Sequence, residues 1–379
     1  MEMKTLGTVA TYINGRAFKP SEWEKAGMPI IRIQNLTSEN APYNYSKGIF
    51  EEKYIVHNGD LLFAWSASLG AHIWKGQDAW LNQHIFKVLP KEGIDRDYLY
   101  YFLLAVVAEL YAKTHGSGMV HITKAPFMNT PIPVPSLPEQ QRIVSRIEEL
   151  FSQLDAGVET LKKAKAQLAV YRQAVLKEAF AVCKEYVAIE SVTQHVTDGD
   201  HMPPPKADNG IPFIMISNIK GNAISWGNTA FVGRDYYDSI EPKRKPQNGD
   251  VLYTVTGSYG IPVLVDSNKE FCFQRHIALL RPNDAIEQKY LYYSLMEPSV
   301  YAQATKGATG TAQKTVGLGI LRKIEIPFIE NHSDQLRIVE AIESRLSVCD
   351  SIEHTVDTAL QQAEAMRQSI LKDAFEGKL

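Results

Sequence analysis

Apolar residues along this chain follow two rhythms, and each rhythm is used twice. The first is a set of short β-forming runs bounded by turn residues. PIIRIQNL begins at Pro29 and PFIMISNI at Pro212; NGDLLFAWSASLGAHIW begins at Asn58 and NGDVLYTVTGSYGIPVLV at Asn248. Asn-Gly followed by β-formers predicts a tight turn entering a strand. Small-residue turns at Gly70 and Gly260 lead to further strands, LNQHIFKVLP and FQRHIALLRP. A helix then follows in each copy, from about Tyr98 to Tyr111 and from about Tyr290 to Ala302. The shared Asn58-Gly59-Asp60 and Asn248-Gly249-Asp250 read as structural turns, whereas Ala64-Trp65-Ser66 and Thr254-Val255-Thr256 diverge where specificity is best sought.

The second rhythm is a helix with one narrow apolar stripe. Ile143, Ile147, Leu150, Leu154, Val158, Leu161, Leu168 and Val175 recur at helical steps without proline, with Gly157 the weak interior position. The second copy has Ile338, Ile342, Leu346, Ile352, Val356, Leu360, Ala363 and Ile370, and stops at Gly377. Ser136-Leu137-Pro138-Glu139 predicts a capping box at the first start. A narrow stripe of this length is best covered by the other helix. Connectivity then makes the pair antiparallel, a rigid spacer roughly 65 Å long from a 1.5 Å rise per residue, with one domain near each end.

The expected class is therefore α+β: two globular domains rich in short strands and long loops, separated by a long antiparallel two-helix coiled coil and related by an internal pseudo-two-fold repeat. The boundaries are residues 1–137 and 182–332 for the domains, 138–181 and 333–379 for the helices.

Composition narrows the function. No apolar run approaches the roughly 20 residues of a membrane span, and the start MEMKTLGTVATYING lacks a signal-peptide core, so a cytoplasmic protein without membrane contact is expected. Cys183, Cys272 and Cys349 are isolated, which argues against disulfide frameworks and paired-cysteine zinc sites. The net charge is -3, and basic and acidic residues nearly balance within both globular halves. A DNA ligand would thus be shared with another subunit rather than held by bulk charge.

The tools of an enzyme are missing from the pattern. Met202-Pro203-Pro204-Pro205 lacks the aromatic and Asn/Asp of an amino-methyltransferase motif and reads as a stiff loop. No glycine-rich strand-to-helix turn fits S-adenosylmethionine or a dinucleotide, and KGATGTAQKT from Lys306 lacks the contiguous Gly-Lys-Thr of a phosphate loop. His84 and His276 sit in matching strands with no nucleophile or carboxylate at fixed spacing.

IPVPSLPEQQRIVSRIEELFSQLD, the LKEAF ending, and their second copies IPFIENHSDQLRIV and LKDAFEGKL resemble the specificity subunits of type I restriction-modification systems over essentially the whole chain. The second start departs from the first by lacking proline. The resemblance implies two target-recognition domains, each reading half of a split sequence in double-stranded DNA, with helices that measure the gap. It also implies docking of two methyltransferase subunits and of restriction/translocase subunits. S-adenosylmethionine, ATP and Mg would reside on those partners, and this chain would carry no cofactor, metal or catalytic residue. Two rivals stand beside this reading: a self-contained DNA methyltransferase or nuclease, and a purely structural coiled-coil adaptor. Exposed apolar helix positions are compatible with self-association of the chain alone.

Arg and Lys suit guanine, Asn and Gln adenine, and Ser or Thr bases and phosphates. On that chemistry the DNA-binding candidates in the first domain are Asn35, Ser66, Ser68, Gln83, His84, Lys113 and Lys124. In the second they are Asn218, Thr256, Ser258, Tyr259, Gln274, Arg275, His276, Lys306 and Lys314. The basic turn Lys243-Arg244-Lys245 is open to phosphate contact or plain solvation.

Overall fold

The Asn-Gly-Asp turns form as the sequence predicts, and their aspartates tie the turn to the sheet. Gly59 and Gly249 adopt φ of 90° and 94°, a region that favours glycine. Asp60 accepts from the His57 N–H at 2.7 Å and pairs with Lys87 at 2.8 Å. Asp250 accepts from the Gln247 N–H at 2.8 Å and takes both arms of Arg281, at 2.8 and 2.7 Å.

This computed structural model describes residues 2–38, 40–112, 124–201, 204–311 and 313–379. The chain divides into two units, residues 1–161 with 358–379, and residues 162–357. In the first, an antiparallel four-stranded sheet orders Ala10–Asn14, Ile85–Pro90, Leu61–Ala64 and Gly70–Ile73. A second sheet orders Asn44–Ser46, Met28–Ile31, Ala79–Leu81 and Ile55–Val56, with a parallel pairing between its middle strands. The second unit repeats the plan. Thr193–Asp198, Ile277–Pro282, Val251–Thr254 and Pro262–Leu264 form its antiparallel sheet; Ala230–Val232, Ile211–Ile214 and Cys272–Phe273 form the mixed one. A two-stranded ribbon precedes each long helix, Glu2–Thr5 with Pro131–Val134 and Glu185–Ala188 with Glu325–Phe328.

The long helices run over Leu137–Phe180 and His332–Phe375. Both units show them antiparallel. In the first, Arg142 donates to the Leu379 carbonyl at 3.0 Å while Arg367 pairs with Asp155. In the second, Lys165 pairs with Asp357 at 2.6 Å, Arg172 with Asp350 at 2.6 Å and Arg345 with Glu178 at 2.8 Å. Among the described residues no helix is long and apolar enough to cross a membrane.

The expected seam is only part of how the stripe is used. Ile143 and Ile147 lie in the first domain's core beside Tyr98, Leu99 and Phe102, and Leu371 and Ala374 join them. Ile338, Ile342 and Leu346 lie in the second domain's core beside Tyr290 and Leu291, with Val175, Leu176 and Phe180. Each unit is thus a domain plus the start of one helix and the end of the other. Leu150 and Leu154 are half-buried and Val356 is buried, whereas Ile352 is exposed. Ile342, Cys349, Val356 and Ala363 recur every seven residues, and Ile352 falls off that line.

Three local expectations change. The helix expected over Tyr290–Ala302 is two, Gln288–Leu295 and Pro298–Gly307. Pro298 cannot continue the first but opens the second, where the Glu297 carboxylate accepts from the Ser299 N–H at 2.7 Å. Glu139 does not close a box on Ser136, because both its oxygens hold Arg142, at 2.9 and 2.8 Å. At the second start Asn331 supplies the cap that proline does not, accepting from the Ser333 N–H at 2.8 Å.

Candidate nucleic-acid interface

Both domains hold the same tight turn by the same backbone bonds. In the first, Asn82 N–H donates to Ile31 O at 3.2 Å, Gln83 N–H to Arg16 O at 2.8 Å, and Trp65 N–H to His84 O at 3.0 Å. In the second, Gln274 N–H donates to Ile214 O at 3.0 Å, Arg275 N–H to Asp200 O at 3.1 Å, and Val255 N–H to His276 O at 2.9 Å. Gly15 and Gly199 pass so close that an added Cβ would stand 2.0 Å from the Asn82 and Phe273 carbonyl oxygens. Only glycine fits there.

In the second domain this turn gathers several candidates. Gln274, Arg275 and His276 line a hollow of about 390 Å³ floored by Phe213, Met215 and Phe231. Arg275 and His276, together with His201, also line a neighbouring hollow of about 320 Å³ that includes Thr256, Gln313 and Thr315. Burial, then the Arg275 charge, hold the His276 imidazole below its ordinary range. Thr256 is buried and its hydroxyl accepts from Thr315 at 3.3 Å. Lys314 is exposed, with its carbonyl accepting from Gly257 N–H at 2.9 Å next to exposed Ser258. Tyr259 stacks on Tyr301 with centroids 5.7 Å apart and donates to Thr305 at 3.2 Å, beside exposed Lys306.

In the first domain Gln83, Ser68 and Lys124 are exposed, while Ser66 is buried at 3% exposure. His84 takes φ of 78° and lies 5.0 Å from the Trp65 ring, and Trp65 in turn donates to Asn14 Oδ1 at 3.1 Å. Lys113 lies outside the described residues, as do Met202 and Pro203.

Asn35 and Asn218 staple their own loops. Asn35 Oδ1 accepts from Arg32 N–H at 3.0 Å and its amide donates to Ala41 O and Pro42 O at 3.2 and 3.3 Å. Asn218 Oδ1 accepts from Met215 N–H at 3.0 Å and its amide donates to Ser225 O at 3.4 Å. Both are buried, so their hydrogen-bonding groups are spent inside the fold. Arg244 of the basic turn is similarly occupied. It donates to Asp198 O at 2.8 Å and pairs with Asp200 at 3.4 Å.

Gln140 and Gln335, one in each helix motif, are fully buried polar residues outside the sequence-derived candidates. Gln140 accepts from Asp95 N–H at 2.8 Å and donates to Gly93 O and Pro135 O, both at 2.9 Å. Gln335 accepts from Glu287 N–H at 2.7 Å and donates to Ala285 O and Ile329 O at 3.0 and 2.7 Å. Their recurrence at matching points of the duplication was the available signal.

A family model described as the type I restriction modification DNA specificity domain matches residues 1–168 and 198–362. The EcoBI type I restriction enzyme specificity subunit of Escherichia coli is 25% identical, over 99% of this chain and 85% of that protein. The MjaVIII specificity subunit of Methanocaldococcus jannaschii is also 25% identical, over 87% of this chain and 81% of that one. A solved structure concerned with complex assembly and conformational transition of the type I R-M system is 20% identical. It superposes with a TM-score of 0.74 over 100% of this chain and 98% of that one. It shares the fold.

Proposed function

This chain belongs to the type I restriction modification DNA specificity family, and from that premise we propose that it is the non-catalytic reader of a bipartite target in double-stranded DNA. Each unit reads one half-site, and the long helices fix the gap and dock two methyltransferase subunits and the restriction/translocase subunits. Adenine methylation and cleavage, with S-adenosylmethionine, ATP and Mg, belong to those partners.

The observation that carries this reading is the turn at Gln83 and Arg275: one backbone frame, used twice, with different side chains on it. A common frame with divergent chemistry is what two half-sites of different sequence require. Docking draws support from the first unit, where Tyr100, Tyr101, Leu104 and Phe151 line a groove of about 800 Å³ with Glu148 and Glu364 at its edge. Near-neutral charge suits DNA held jointly with other subunits.

Methylated adenines mapped in cells with and without the chain should disclose one bipartite motif that depends on it. A transferase active without a second subunit would restore the enzyme reading, and absence of any sequence-selective footprint with methyltransferase present would restore the adaptor. Lengthening both helices by one turn, about four residues, should lengthen the tolerated gap. Unchanged spacing would remove the measuring role.

A further inference from the structure

The geometry points to one base-reading position per domain: Arg275 reads the guanine of a G·C pair in the second half-site, and Gln83 reads the adenine of an A·T pair in the first. This rests on the half-site reading above and assigns its chemistry.

The two residues are structural equivalents, each one step after a parallel bridge, Arg16 with Asn82 and Asp200 with Gln274. Their own N–H groups donate to the partner strand's carbonyl, at 2.8 Å for Gln83 and 3.1 Å for Arg275. The backbone is therefore fixed while both side chains are exposed. With the backbone already fixed, only the side chain's own rotamers remain to be ordered when it meets a ligand.

Arg275 stands out by what it does not touch. Every other arginine of the chain holds a carboxylate, a carbonyl or an aromatic ring, from Arg16 on Glu22 to Arg367 on Asp155. Arg275 has no such partner among the described residues. Carboxylates are near, because its N–H is bonded to Asp200. They are already taken: Asp198 holds His201 at 2.8 Å and Arg244 at 3.6 Å, and Asp200 holds Arg244 at 3.4 Å and the Tyr236 hydroxyl. Arg244 thus occupies both carboxylates, and the Arg275 guanidinium, which pairs with neither, is left for an external acceptor. It stands at the rim shared by two hollows, with His276 and His201 beside it.

Gln83 likewise has no side-chain partner among the described residues, and the charge next to it is spent, Arg16 being paired with Glu22 at 2.6 Å and lying 4.1 Å from the Phe50 ring. A guanidinium fork matches guanine O6 and N7, whereas a carboxamide matches adenine N6 and N7.

The test uses the full chain co-expressed with the modification subunits of its own system, and maps methylated positions genome-wide for the parent, Arg275→Gln and Gln83→Arg. Arg275→Gln should change a G·C position in one half-site, shifting preference there on the order of ten- to a hundredfold, and leave the other half-site and the gap intact. Gln83→Arg should change an A·T position in the other half only. A motif unchanged in either variant overturns the assignment. Should a variant lose methylation altogether, binding of the assembled Arg275→Ala and Gln83→Ala complexes to duplexes differing at single base pairs decides. Discrimination lost at one pair supports the assignment, and equal weakening on every duplex, the mark of a phosphate contact, overturns it. A parent without a bipartite motif removes the half-site reading itself; a bipartite parent motif with no G·C pair in one half removes only this assignment.

Discussion

Asp60 and Asp250 occupy the same turn, yet they are held differently. The Asp250 side chain is 3% exposed and paired with Arg281, while Asp60 is 22% exposed and paired with Lys87. Removing one partner of a buried pair leaves an uncompensated charge, so Asp250→Asn should destabilise the second unit by roughly 3–5 kcal/mol. Asp60→Asn should cost the first unit clearly less, and denaturant titration of both variants would show an equal loss if burial were not the cause. His195 gives a pH dependence in the same sheet. Its register partner is Arg281, and burial first, then that charge, hold its imidazole below the ordinary range, with Asp250 opposing. The unfolded chain therefore takes up the proton more readily. The contribution is complete above the free imidazole value of about 6.5 and is lost as pH falls beneath it. His195→Gln should flatten the decline in urea midpoint between neutral pH and mild acid, and an unchanged slope would assign the decline to other groups. At this scale the sequence was legible where a need is local. Asn-Gly announces a turn, but the need for Gly15 and Gly199 arises from a carbonyl distant in the chain; the bonds that occupy Asn35 and Asn218 are local, yet asparagine in a loop suits a staple and a base reader equally.

The long helices were readable because a stripe with helical spacing persists through them, whichever surface it meets. What it meets was not readable. Periodicity marks Ile143 and Ile338 as buried but does not say that domain cores receive them, nor that Cys349 is buried while Ile352 is exposed. The break at Pro298 was written in the sequence, and apolar spacing on both sides of it obscured it. Gln140 and Gln335 join each helix start to its domain through three backbone groups apiece. Leucine at either position would leave those part-buried groups without their partner, at about 1–3 kcal/mol for each that water does not reach. Gln335→Leu should therefore lower the unfolding temperature of the second unit far more than that of the first, with Gln140→Leu doing the reverse. Calorimetry that shows both units losing equally would contradict so local a clamp.

The duplication gave the order of the parts but not their membership. The first unit draws on residues 358–379 as well as 1–161, and Phe375 sits 5.2 Å from Tyr98 and 5.1 Å from Phe102, measured between ring centroids. A chain stopped after Asp357 should keep the cooperative unfolding of its second unit and lose that of its first, although the deletion lies at the far end of the sequence. Limited proteolysis reads this directly: cleavage should move into residues 1–161, and protection there equal to the parent would show that the late segment is dispensable. The bond from Arg142 to Leu379 spans 237 residues. Contacts so distant in sequence close slowly, and on the ribosome this one has a fixed place in time. The domain translated first waits with Tyr98 and Phe102 uncovered while the whole second unit is synthesised, and it is finished only when the last helix arrives.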